Sequence, residues 1–369
     1  MKITYITNII APYVHHVFEA VCKFPHDELQ VLCCATTEPG RHWEVPPPLN
    51  YSVVILKGLR LHLSYTRHIY FNPGIWSALS TFNPDVIFIN AFSPTMLIGA
   101  AWAQFHGRPY CVATDGWKLT DPGEWSRIHR LFRRLLIPRA AVGLGASDLS
   151  LALLESYGVS KSRLIKLPLV SAVPRPNKYA ARDDRAFDLL WCGNIDDERK
   201  GVYLFAKIAE NLKLLRGTLR VRIAGSGILR NWLEDELRKL KIDFQFDGYL
   251  QAAELAEFYN SGRLFLFPSR GDPWGLVVNE AMSAGTPVIA SDQSASGLEL
   301  SKLSEGVICL PLDESRWTEA ASRVLEDPQY WDTLSAANVK VAEAFTAEEP
   351  ASNLFSAALQ ATSRVETPS

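Results

Sequence analysis

At 369 residues the chain is longer than one compact domain usually runs and long enough for two. Its 47% hydrophobic and 21% charged residues exclude a disordered chain and predict globular packing throughout. The formal net charge of -2 hides an asymmetry: residues 1–170 hold 16 Lys and Arg against 11 Asp and Glu (+5), the remainder 22 against 29 (-7), so the first half suits an anionic partner.

Residues 1–14 carry one early lysine and an apolar stretch, but Asn8 and Pro12 interrupt it before a signal-peptide core forms, so no export signal is expected. The first run, Lys2–Thr7, is β-rich; a turn at Ala11-Pro12 and a helical pattern over 13–22 follow. Strand-like runs recur at 29–34, 53–56, 86–89, 110–113 and 141–144, with polar or helical segments between most of them, which predicts a parallel α/β sheet. The longest near-apolar run, Pro94–Phe105, has 12 residues and includes Gln104, against the roughly 20 that span a bilayer. Residues 127–139 read as a basic amphipathic helix, with Arg127, Arg130, Arg133, Arg134 and Arg139 among apolar positions.

Prolines and charges (Pro174, Pro176, Arg182, Asp183, Asp184, Arg185) then break the pattern, as an exposed linker would. A second series follows, with strands at 187–192, 219–224, 244–246, 264–267 and 287–290 and helices at 201–215, 229–240, 252–259 and 275–284. Helical patterns at 316–325 and 351–360 close the chain. The expected organisation is a first α/β domain over 1–172, a linker over 173–186 and a second α/β domain over 187–350, with the C-terminal helix 351–369 packing back on the first. Six cysteines (Cys22, Cys33, Cys34, Cys111, Cys192, Cys309) lie scattered without a C-x-x-C pair, so free thiols in a reducing cytoplasm are expected.

The chemistry concentrates in Phe267-Pro268-Ser269-Arg270-Gly271-Asp272-Pro273-Trp274-Gly275-Leu276-Val277-Val278-Asn279-Glu280. A strand ends at Pro268, a Gly/Pro loop carries Asp272, and a helix beginning near Gly275 carries Glu280. The free amides expected at Gly275 and Leu276 favour an anion, and a diphosphate fits there.

With its continuation through Asp292, this segment resembles the donor-site signature of the retaining family-4 glycosyltransferases, Glu, seven residues, Glu. The resemblance implies the GT-B fold, in which two Rossmann-like parallel-sheet domains face a central cleft. It puts Glu280 on the ribose hydroxyls and Asp272, an Asp in the first Glu position, near the donor sugar, and it draws Trp274 into the donor set. Trp191-Cys192-Gly193-Asn194-Ile195-Asp196-Asp197-Glu198-Arg199-Lys200-Gly201 resembles the family's strand, Gly-Arg turn and Lys-Gly helix start. Lys200 falls on the phosphate-binding lysine; Asn194 stands where the family has arginine, with Arg199 the neighbouring cation. Gly225 and Gly227 match the family's Gly-x-Gly, and Gly248-Tyr249 the loop whose backbone reads the base. Asn8 and Pro12 fall in the loop that faces the diphosphate from the first domain. Asp115, ending a strand before Gly116, is the acceptor-side candidate; a turn-forming Asp is the plain alternative.

The implied activity is transfer of a hexose-type sugar from a nucleotide-sugar, without metal or cofactor, to a glycan or lipid-linked acceptor. Catalytic roles go to Asp272, Lys200 and Asp115. An anionic membrane surface is an expected partner and nucleic acid is not, which places the protein in the cytoplasm, peripheral on the inner face of the plasma membrane. A nucleotide-sugar epimerase or an inactive binding protein on the same fold would carry the same donor motifs. A dinucleotide oxidoreductase would need glycines in the first loop, and residues 8–13 contain none.

Overall fold

The computed structural model describes residues 1–38, 44–64, 67–196 and 199–363. The end of the expected C-terminal helix, 364–369, lies outside the described residues. The chain divides into two compact units, Met1–Leu169 with Ala347–Ser369, and Val170–Thr346.

The first unit runs β1 (Lys2–Thr7), α1 (Pro12–Val21), β2 (Glu28–Cys33), β3 (Ser52–Ile55), β4 (Leu59–Ser64), β5 (Arg67–Phe71), α2 (Ile75–Phe82), β6 (Val86–Asn90), α3 (Pro94–Phe105), β7 (Tyr110–Thr114), α4 (Arg127–Leu136), β8 (Val142–Gly145), α5 (Asp148–Ser156) and β9 (Leu164–Lys166). Seven strands form one sheet in the order β3-β2-β1-β6-β7-β8-β9, every neighbouring pair parallel. β1 and β6 read as continuous apolar runs because helices cover both faces of a parallel sheet, and Ile3, Ile6, Val86, Ile87, Phe88 and Ile89 are fully buried. The strand order reverses between β1 and β6. That switch point puts the loop carrying Asn8 beside the β6–α3 loop, on the edge where open α/β sheets take ligands.

The second unit runs β10 (Phe187–Cys192), α6 (Val202–Arg216), β11 (Arg220–Ala224), α7 (Arg230–Lys239), β12 (Asp243–Gly248), α8 (Ala252–Asn260), β13 (Gly262–Phe267), α9 (Val277–Ser283), β14 (Val288–Ser291), α10 (Ala295–Leu300), β15 (Val307–Leu310), α11 (Glu314–Glu326) and α12 (Pro328–Ala342). Its six parallel strands lie in the order β12-β11-β10-β13-β14-β15. Here β10 and β13 flank the switch point, so the turn after Cys192 and the loop after Phe267 leave the sheet side by side. The last helix, α13 (Glu348–Ser363), belongs to the first unit: Phe355 stacks on Phe24, ring centroids 5.2 Å apart, and Asn353 Nδ2 donates to Lys166 O at 3.0 Å.

Three differences from the sequence reading have physical reasons. Residues 173–186, expected as an exposed linker, lie within the second unit. Arg175 Nη2 donates to Ala342 O at 3.1 Å, Asn260 Oδ1 accepts from Ala180 N at 3.0 Å, and Arg185 is buried. The hairpin β4–β5, α10, β15 and α12 went unread. Helix α9 begins at Val277 rather than near Gly275, because Gly275 has φ +98°, outside helical space.

Candidate active site

Three side chains converge at the switch point of the second sheet. Asp272 sits in the β13–α9 loop, 7% exposed, and its Oδ2 lies 2.6 Å from Lys200 Nζ. The Lys200 ammonium also stands over the Phe267 ring, 5.2 Å from its centroid. Arg199 Nη2 lies 4.0 Å from Asp272 Oδ2, and Arg199 Nε donates to Gly271 O at 3.4 Å. Burial by itself would push the Asp272 carboxyl up. The opposing charges of Lys200 and Arg199, with hydrogen bonds from Lys200 and the Trp274 amide, outweigh it and hold the group below the usual carboxylate range.

The turn that presents Lys200 is built by its acid. Asp196 Oδ1 accepts from Arg199 N at 3.1 Å and from Lys200 N at 3.3 Å, satisfying amides ahead of α6. Asn194, in the family's arginine position, donates its Nδ2 to Asp196 Oδ2. Its amide therefore orders the Lys200 turn, and the cation nearest Asp272 after Lys200 is Arg199.

Glu280 lies on α9, 9% exposed, and accepts from Tyr259 Oη at 2.8 Å. Burial raises its carboxyl to about 7, and the Tyr259 hydrogen bond offsets part of that rise. Asp272 and Glu280 thus differ in state at neutral pH: the first is ionised against cations, the second sits near its midpoint. Residue spacing gave no sign of this split, since it follows from partners 72 and 21 positions away.

The glycines shape the rim. Gly225 has φ +127°, donates its N–H to Gly248 O at 2.6 Å, and leaves no room for a Cβ against Gly193 O; a Cβ on Gly227 would strike the Ile195 backbone. Tyr249 beside Gly248 is 39% exposed. Two expected donor groups are placed differently from the sequence reading. Trp274 is 3% exposed and donates its indole N–H to Asn279 Oδ1 at 2.7 Å, so it braces α9. Gly275 and Leu276 stand before a seven-residue helix, with Leu276 as its N-cap and Val277 as its first residue, so their amides are loop amides rather than the first of the helix.

In the first unit, Asn8 O accepts from Ala35 N at 2.9 Å while Asn8 Oδ1 is buried without a partner, and Pro12 is the first residue of α1. Asp115 is exposed beyond the end of β7, and its carbonyl accepts from Ser150 Oγ at 2.9 Å.

Helix α4 presents only part of its arginine set to the surface. Arg133 points inward, paired with buried Asp121 and stacked on Phe92, 4.3 Å from the ring centroid. Arg130 donates to Gly123 O at 2.8 Å and Glu124 O at 2.7 Å, and Arg139 to Leu135 O at 3.0 Å. Ile128, Leu131 and Leu135 face outward instead, 66%, 53% and 44% exposed, with Arg127 and Arg134 exposed beside them. Among the described residues no helix is long and apolar enough to cross a membrane.

Two parallel-sheet α/β units in one chain are the architecture of the GT-B class. The chain belongs to the glycosyltransferase family: residues 10–169 match the family described as "Glycosyl transferase 4-like domain" and residues 186–327 that described as "Glycosyl transferases group 1". It is 32% identical over 154 residues to the glycogen synthase of Mycobacterium tuberculosis, covering 41% of this chain and 37% of that protein. It is 27% identical over 298 residues to the phosphatidyl-myo-inositol mannosyltransferase of Mycolicibacterium smegmatis, covering 77% and 71%. Among solved structures it is similar to Anabaena Alr3699/HepE in complex with UDP and glucose, with TM-score 0.71 at 16% identity over 96% of this chain and 98% of that one. The chain spans little more than a third of the glycogen synthase it matches.

Proposed function

We propose that the chain is a metal-independent, retaining transferase that moves a hexose-type sugar from a nucleotide-sugar held on the second unit to a glycan or lipid-linked acceptor. The observation that supports this reading is the pairing of Lys200 with the buried Asp272 at the switch point, with a second buried acid, Glu280, on the helix that follows the same loop. A similar fold holds UDP and glucose in the Anabaena protein, and the mannosyltransferase relative is named for a lipid.

In this reading Glu280 accepts from the ribose hydroxyls, Lys200 and Arg199 meet the diphosphate, and Asp272 lies near the donor sugar. An ammonium has three donors, so Lys200 can keep Asp272 and still reach a phosphate oxygen. The Gly275 and Leu276 loop amides, Asn194, Gly225, Gly227, Gly248 and Tyr249 shape the donor pocket. The bond from the anomeric carbon to the diphosphate breaks with its electron pair leaving on phosphate. The acceptor oxygen bonds that carbon from the same face, and its proton passes to the departing phosphate. Lys200 and Arg199 stabilise the developing charge in place of a metal, and Asp115 orients the acceptor.

A screen of nucleotide-sugars for thermal stabilisation identifies the donor. Turnover is then followed with and without a chelator, and the anomeric configuration of the product by NMR. Inverted configuration rules out the same-face mechanism, and loss of turnover with chelator rules out metal independence. Replacement of Glu280 by Ala is expected to weaken nucleoside diphosphate binding, and unchanged affinity in calorimetry removes its ribose role.

The outward stripe of α4 favours a second element: peripheral association with the anionic cytoplasmic face of a membrane, through Ile128, Leu131 and Leu135 with Arg127 and Arg134.

A further inference from the structure

We infer that Tyr259 is a positioning residue for Glu280 and sets the pH at which the donor nucleotide binds. The inference rests on the reading of Glu280 as the ribose-holding acid. Two observations carry it.

The first is the hydrogen bond itself. Tyr259 Oη donates to Glu280 Oε2 at 2.8 Å, and both groups are buried. A phenol that donates to a carboxylate stabilises the ionised form and fixes the plane of the carboxyl group. An acid that accepts from two ribose hydroxyls must be ionised and correctly turned, so the same bond serves both requirements.

The second is that the backbone under this pair is clamped. Arg185, 1% exposed, donates Nη1 to Tyr259 O at 3.3 Å, to Gly262 O at 2.9 Å and to Thr286 Oγ1 at 2.6 Å. It donates Nη2 to Ala284 O at 3.0 Å and to Gly285 O at 3.4 Å, and its guanidinium stacks on Trp331, 4.9 Å from the ring centroid. Tyr259 O lies in the last turn of α8, Gly262 O opens β13 just after it, and Ala284 O and Gly285 O follow α9, which carries Glu280. One planar cation thus ties the C-terminal ends of both helices and fixes the separation of hydroxyl and carboxylate.

The groups around Glu280 explain why one hydrogen bond matters. Tyr259 comes from α8, and Cys192 from β10 lies against the pair with its thiol pushed up to about 12 by burial. Lys200 is engaged with Asp272. Helix α12 meets the end of α9 through Ser335 and Val339 at Gly285. Among the described residues no cation is bonded to Glu280, and the phenol is the hydrogen bond that counters its burial.

The test is calorimetry of UDP and of GDP binding between pH 5.5 and 8.5 for wild type, Tyr259→Phe and Glu280→Gln. The phosphate of the ligand titrates in the same range for all three, so the Glu280→Gln curve is the reference. In wild type, affinity relative to that reference is expected to rise through pH about 7. In Tyr259→Phe the rise moves to higher pH, with a loss of about tenfold at pH 6.5 that shrinks at pH 8.5. Site-specific 3-fluorotyrosine at 259, a stronger donor that keeps the ring, moves the rise to lower pH and keeps the inference testable if the Phe variant folds poorly. Unchanged curves for both variants, or a uniform loss at every pH with a lowered melting midpoint, overturn the positioning role while leaving the donor reading intact. Wild type binding neither diphosphate, or Glu280→Gln binding as wild type does, overturns the donor reading and this inference with it.

Discussion

Lys200 Nζ lies 2.6 Å from Asp272 Oδ2 across 72 residues of sequence, joining the turn after β10 to the loop after β13. The pair is largely removed from water, with side-chain exposures of 19% and 10%, so neither partner is an ordinary solvated charge. An exposed lysine at a helix start would contribute little to folding. This one neutralises a buried carboxylate, and both its stability role and its proposed diphosphate role follow.

Replacing Lys200 by Ala is therefore expected to lower stability by about 1 to 3 kcal/mol, because buried Asp272 loses its nearest cation and Arg199 stands farther off. Turnover should fall by about two orders of magnitude or more through the lost charge on the leaving group. The double variant Lys200→Ala with Asp272→Asn separates the two effects: the melting midpoint should recover and turnover should not. Recovery of turnover in the double variant contradicts a direct role for the ammonium.

The two acids give opposite pH dependence of stability. The Asp272 pKa is depressed, so its contribution is present above the unfolded value of 3.8 and is lost as pH falls through the lower folded value. The Glu280 pKa is raised, so its contribution is full below 4.5 and is lost as pH rises through about 7. Glu280→Gln should therefore gain stability on wild type between pH 5 and pH 8, on the order of 3 kcal/mol at the upper end, by denaturant unfolding of the ligand-free protein. Parallel curves across that range would show that burial does not raise this acid.

Gly225 is the position of the Gly-x-Gly rim where a side chain is least tolerable. Its φ of +127° disfavours any L residue, and a Cβ would meet Gly193 O at the switch point. Gly225→Ala is expected to cost roughly 2 to 4 kcal/mol and to weaken nucleotide binding by displacing the Gly193 turn, whereas Gly217→Ala, with nothing within 4 Å of its Cβ position, should show only the φ strain. Equal melting midpoints for the two variants would refute the steric account.

The sequence made the α/β alternation, the two series and the acid-bearing loop legible, because strands buried on both faces read as apolar runs and the loop carries its own residues. What escaped it depends on partners far along the chain. Arg185 lies among prolines and charges and looks like linker, yet carbonyls from 259, 262, 284 and 285 gather around it. Helix α12 went unread because its buried set, Trp331, Leu334, Asn338 and Ala342, mixes one polar and one small residue into the stripe. The inward turn of Arg133 depends on Asp121, which local spacing cannot distinguish from a surface acid.

That inward turn changes how membrane association is to be tested. Arg133 is 4% exposed and neutralises Asp121, so Arg133→Gln is expected to destabilise the first unit through an unpaired buried carboxylate and reports on folding, not on lipid. The surface available to a bilayer is Ile128, Leu131 and Leu135, spaced for one helix face, with Arg127 and Arg134 beside them. Burying such side chains in the headgroup region contributes about 1.5 to 3 kcal/mol each at full burial, and each near-surface arginine about 1 kcal/mol on anionic lipid. Wild type is expected to co-sediment with vesicles containing anionic phosphatidylglycerol at low salt. Arg127→Gln with Arg134→Gln should reduce binding in proportion to the charge lost, and salt should weaken wild type more than this variant. Leu131→Ser with Leu135→Ser should abolish binding with little change in melting midpoint, because both side chains already face water. Failure of wild type to co-sediment at low salt, or binding that survives both pairs of substitutions, rules out α4 as the membrane contact.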